Sequence, residues 1–146
     1  MALLLPSADC PGLAKPVAGE PTQLFAPIGQ YGGHWGVDFL AAEGSSVIPA
    51  DAGVVTFAGS VAGVLSVTVD HGGGLRSSYS YLASISVAHG QQVDRSVELG
   101  TSGIDHGVAA VHFSVRIEGT YADPLSWIGC FRSPHRGLSL VPVDRS

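Results

Sequence analysis

The chain has 146 residues, a length that fits one domain with a real core. Its composition is 45% hydrophobic and only 13% charged, which excludes a disordered chain. The net charge of −5 argues against a nucleic-acid surface and against docking on an anionic membrane through a basic patch.

Residues 1–22 are rich in Pro, Ala and Gly, show no periodicity, and read as an extended arm. The apolar run Met1–Leu5 is far too short to span a membrane. It has no basic residues before it, so it is an incomplete or trimmed signal sequence or a frayed end. From Gln23 onward short apolar runs alternate with turn signals, and residues 23–130 read as one domain. Phe25–Ile28 opens a strand, Gly32-Gly33 is a joint, and Val37–Ala41 and Val47-Ile48 are further strand pieces. After the turn Asp51-Ala52-Gly53, residues 54–58 continue as β structure.

Leu65–Val69 alternates with period two, as a half-buried strand should. Asp70–Gly74 reads as a glycine-rich hairpin turn, with Ser77–Leu82 as the partner strand. In the next alternating run Val111, Phe113, Val115 and Ile117 face one way, and His112, Ser114 and Arg116 the other. Pro124–Ile128 reads as a short closing turn or helix, and residues 131–146 as a loosely held tail. No segment carries a sustained helical period. The predicted fold is all-β: an antiparallel β-sandwich or barrel-like sheet. The two cysteines, Cys10 and Cys130, are either a disulfide or two unrelated thiols. A bridge would constrain the unfolded chain by about 4–5 kcal/mol in the loop-entropy account.

One constellation carries chemistry. His34 and Asp38 are four residues apart, which on a straight strand is ~13 Å, too far to share an ion. Gly32, Gly33 and Gly36 permit the chain to curl there. With His112 they make a set of two histidines and one carboxylate. Three protein ligands with an open position is the pattern of catalytic zinc, although nitrogen and oxygen donors suit other divalent metals as well. Gly72-Gly73-Gly74 lies between strands, so it is no nucleotide loop, and no serine occupies a recognisable nucleophile turn.

Several runs follow one another in a familiar order: Gly33-His34-Trp35-Gly36-Val37-Asp38, residues 49–55 with Asp51 and Gly53, residues 67–74 with Asp70-His71-Gly72, Tyr79-Ser80-Tyr81-Leu82, His112-Phe113-Ser114-Val115-Arg116 and Asp123-Pro124-Leu125. From about Phe25 to Trp127 the chain resembles the lysostaphin/LytM-type zinc endopeptidases, which cut peptide cross-bridges in bacterial cell walls. The resemblance implies the LytM-type β fold, one Zn2+ held by His34, Asp38 and His112, and a secreted or cell-envelope location. It also implies two assisting histidines, and both are replaced. One position is Tyr81 and the other is Ala110. Alanine takes no proton, and a phenol is a poor base at neutral pH.

Two functions follow from this pattern. In the first, the domain holds the metal but has weak or no activity, and binds peptidoglycan or regulates another cell-wall hydrolase. In the second, it is an active peptidoglycan endopeptidase with a rearranged site, using His106 or Tyr81 in place of the lost base. A β-domain that binds no metal is the third reading. Trp35 and Tyr79 are expected to line the substrate groove, Tyr79 sharing a face with Tyr81. Arg116 is expected in a structural ion pair with Asp123 or near Asp38, and His71 in a structural role.

Overall fold

The computed structural model describes residues 5–6, 12–129 and 131–132, the first and last pairs by their backbone alone. The expected disulfide between Cys10 and Cys130 lies outside the described residues. The elements are all-β with antiparallel strand pairing, as the alternating runs predict, and one 3-10 turn at Pro124–Ser126. Among the described residues no helix is long and apolar enough to cross a membrane.

The chain forms two compact units. The described residues within 1–14 and 125–146 form one of them. Within it Leu5–Pro6 pairs antiparallel with Phe131–Arg132, and Leu13 bridges in parallel to Ile128. The Leu13 amide donates to the Trp127 carbonyl and the Gly129 amide to the Leu13 carbonyl, each at 2.9 Å. Short segments of the expected arm thus pair with described residues near the other end of the chain.

The second unit is Lys15–Pro124. Its main sheet runs in the order 92–93, 53–61, 64–72, 75–85, 108–117, 37–40, 21–23. It begins before the expected boundary at Gln23. Pro21–Gln23 is an edge strand on Val37–Leu40, the Ile48 amide donates to the Pro16 carbonyl, and the Leu40 amide donates to the Glu20 carbonyl. Backbone hydrogen bonds, which need no sequence period, tie this apparent arm to the sheet.

The core lies on one face of the sheet. Val37, Phe39, Val67, Val69, Val111, Phe113 and Val115 are fully buried, as alternation requires. Phe113 meets both Phe39 and Tyr79, with ring centroids 6.2 and 5.3 Å apart. Tyr79 is fully buried here and is not part of a groove. Its face was misassigned because the Leu75–Ile85 strand is irregular at Tyr81. Ser80 pairs with Ser66 and Leu82 with Leu65, so Tyr81 is the extra residue of a bulge, with φ at 65°. Ser77 and Tyr79 point inward before it and Leu82 after it. Tyr79 and Tyr81 therefore lie on opposite faces.

The buried phenol closes a polar chain. The Ala50 amide donates to Tyr79 Oη at 2.8 Å, and Tyr79 Oη lies 2.5 Å from Ser77 Oγ. Ser77 Oγ is 2.7 Å from His71 Nε2, and His71 Nδ1 is 2.8 Å from the Ala52 carbonyl. With Nδ1–H donating to that carbonyl, Nε2 accepts from Ser77, Ser77 accepts from Tyr79, and every group is satisfied. His71 thus has the structural role expected of it. Burial pushes the Tyr79 phenol up to about 12. The unfolded chain ionises near pH 10 and the folded one resists, so stability is full below pH 10 and falls as pH rises toward 12. Two pH units correspond to about 3 kcal/mol. Tyr79→Phe is expected to lose about 1–3 kcal/mol at neutral pH, since the Ala50 amide is orphaned. It should also flatten the alkaline fall, which urea unfolding at pH 7 and pH 11 would measure.

Candidate metal centre

His34 ends the strand Gly32–His34, which pairs with Ala26–Ile28. Gly33 takes φ +82°, and a Cβ there would stand 2.3 Å from the Ala26 carbonyl oxygen, so the tight approach of the two strands requires glycine. After a bend at residues 35–36 the chain resumes as Val37–Leu40. That bend supplies the expected curl: His34 Nε2 reaches Asp38 Oδ1 at 3.0 Å. His112 is the direct cross-strand partner of Asp38. Its Nδ1 lies 2.8 Å from the same Oδ1. The three ligand atoms all fall within 4.8 Å of one another. Asp38 is buried and the two histidines half-buried.

The donor set fits a metal ion. The second nitrogen of His34 lies 2.8 Å from the Leu24 carbonyl. Donation from Nδ1–H there leaves the Nε2 lone pair facing Asp38, the tautomer a metal ligand needs. His112 is held from behind by Gly36, where a Cβ would stand 2.8 Å from His112 Nε2 and 2.5 Å from the Phe113 carbonyl oxygen. Burial works to raise the Asp38 carboxyl, but the hydrogen bond from His112, a contact with Asp105 and the histidine charges outweigh it. Asp38 therefore stays below the ordinary carboxylate range, ionised and ready to ligate.

The replaced positions surround this set. Ala110 lies two residues before His112 on the same strand face, buried. Tyr81 is turned toward the ligands by its bulge. A cavity of about 390 Å3 is lined by His34, Asp38, Tyr81, Asp105, His106 and His112, among others. The Tyr81 phenol is pushed up by burial and by the nearby Asp105 and Asp38 charges. That shift moves it further from service as a base and keeps it a hydrogen-bond donor.

His106 is brought to the same cavity. It begins the two-residue turn His106-Gly107 between Ile104–Asp105 and Val108–Ile117, with φ values of 50° and 82°. Both angles are left-handed, as a type I′ hairpin requires. Its Nδ1 lies 2.6 Å from Asp105 Oδ1, and its ring centroid lies 5.3 Å from that of Tyr81. Its side chain is 82% exposed.

Asp105, which the sequence offers only as the acid beside His106 in a possible base, holds a place of its own in the site. It is 3% exposed, and burial together with the Asp38 carboxyl beside it holds its carboxyl above the ordinary range. Its only sequence signal was an acid next to His106 in the loop before the His112 strand. Trp35 is placed elsewhere. Its indole donates to the Gly32 carbonyl at 2.8 Å, and it packs edge-on against Phe25 and Tyr121. With Gln30, Tyr31 and Tyr121 it lines a separate cavity of about 270 Å3. The bend at residues 35–36 carries Trp35 away from the ligands, and it lines neither cavity that borders them. The Arg116 guanidinium lies 5.8 Å from the Tyr121 ring centroid.

Known proteins carry the same frame. The family model for peptidase family M23 matches residues 32–124. The lipoprotein NlpD/LppB homolog of Pseudomonas aeruginosa is 32% identical over 80% of this chain and 40% of its own length. A crystal structure of a peptidase M23 from Pseudomonas aeruginosa is 30% identical. It covers 89% of this chain and 56% of that one, with a TM-score of 0.70. Lysostaphin from Staphylococcus simulans shares the fold at 23% identity and a TM-score of 0.69, over 82% of this chain and 55% of that one. The chain spans 19–55% of the length of the curated relatives it matches. With the match covering residues 32–124 and both ends of the ligand set inside it, the chain belongs to peptidase family M23.

Proposed function

We propose that this chain is a zinc-holding M23 domain of the bacterial cell envelope with weak or no peptidase activity, which binds peptidoglycan or regulates another wall hydrolase. One observation carries the reading: His34, Asp38 and His112 converge, while the flanking positions hold Tyr81 and Ala110. Two imidazoles and a carboxylate suit zinc. Bound zinc would polarise a carbonyl and acidify a water. The residues around it offer a donor at Tyr81 and an inert methyl at Ala110, and losing a general base commonly costs about 10²–10⁴ in rate. The envelope location rests on relatives named as lipoproteins.

The zinc-loaded chain is expected to sediment with insoluble peptidoglycan and release no soluble fragments. Turnover that a chelator abolishes would overturn this reading. Neither binding nor release would move the partner to a wall hydrolase, to be sought by co-sedimentation with one.

A second reading, an active endopeptidase, is favoured by one arrangement: His106 is anchored through Nδ1 to Asp105, leaving Nε2 free, in the cavity that holds the ligands. If turnover is found, His106→Ala separates the cases, with a loss of about 10²–10⁴ marking His106 as the base.

A further inference from the structure

Asp105 is built into the ligand face. In the hairpin Ile104–Asp105/Val108–Ile117, Asp105 pairs directly with Val108. Cross-strand partners point to the same face, and Val108, Ala110 and His112 share a face by alternation. Asp105 therefore projects on the side of His112. Alanine at 110 leaves only a methyl group between them. One carboxylate oxygen, Oδ1, is committed to His106. The other, Oδ2, is buried with no partner, the one such side-chain atom among the described residues. The side chain is 2% exposed and lines both cavities that border His34 and Asp38. Buried polar atoms without partners are rare and mark an unfilled ligand position or a functional group.

We propose that Asp105, through Oδ2, is the fourth ligand of the metal, closing a centre of two histidines and two aspartates. The inference rests on the zinc-holding reading above. Asp105 lies outside the tight triangle of His34, Asp38 and His112 and adjoins it at Asp38, where two carboxyls stand side by side. A divalent cation offsets both charges and draws the second carboxylate onto itself. His106 then acts on the ligand from behind, holding Oδ1 so that Oδ2 points inward, the usual part of a hydrogen-bonding neighbour to a ligating group. Catalytic zinc sites leave one position to water or substrate, whereas structural ones fill all four from the protein. A filled fourth position agrees with the loss of both assisting histidines.

The test uses the whole chain loaded with Co2+, whose visible absorption reports its coordination, and azide as the probe of an open position. Azide is expected to leave the wild-type spectrum unchanged and to shift that of Asp105→Asn. The variant should also bind zinc at least ~10-fold more weakly. A wild-type spectrum that azide shifts would overturn the assignment, and that arm needs no folded variant. If the wild type takes up neither cobalt nor zinc, the zinc-holding reading itself fails.

Discussion

His112→Ala is expected to abolish stoichiometric zinc binding. The imidazole supplies one of three converging ligands, and in the metal-free chain its Nδ1–H donates the hydrogen bond that helps hold Asp38 ionised against burial. Removing it takes away a ligand and weakens a second. Changes to outer partners of a metal alone cost about 10–100-fold in affinity, so loss of a direct ligand should exceed ~100-fold. Folding reports the same loss. A ligand at 100 times its Kd stabilises the native state by about 2.7 kcal/mol. Zinc should therefore raise the Tm of the wild type and leave that of His112→Ala unmoved. Metal content after dialysis and thermal unfolding with and without zinc would check both. Equal zinc content in the two proteins would refute the three-donor centre.

Restoring the two histidines is the second large effect. Tyr81→His with Ala110→His, made together with Asp105→Asn to open the metal's fourth position, is expected to raise cleavage of peptidoglycan by about 10²–10⁴, with the gain lost on chelation. The backbone is prepared for it. Position 81 is delivered into the cavity by its bulge, and position 110 shares a strand face with His112. Ala110 is 1% exposed, so the larger side chain should cost about 1–3 kcal/mol of stability. Release of soluble fragments from purified cell wall is the measurement. A triple variant as silent as its parent would mean that the barrier to activity lies beyond these three side chains.

Much of this was legible in the sequence where one face of a strand is buried. Val111, Phe113 and Val115 declare their side by alternation, and His112 follows on the other. The curl between His34 and Asp38 was legible from glycines, because a straight strand cannot bring the two together. The short strands were not. Pro21–Gln23, Gly100–Ser102 and Ile104–Asp105 are two or three residues long, too short to show any period, and backbone bonds alone define them. Tyr79 was misplaced because a bulge interrupts the period two residues later. Asp105 has no role of its own in the sequence reading because its two-residue strand shows no period and so gives no sign of its burial.

The bulge at Tyr81 shifts the phase of its strand. Odd-numbered side chains enter the core before it and an even-numbered one after it. Whatever residue occupies position 81 is thereby presented to the cavity, because the backbone makes the turn and the side chain only rides on it. The scaffold is in this sense a socket, separable from the chemistry plugged into it. A chain of this kind can exchange one side chain for another at position 81 without changing the backbone that presents it.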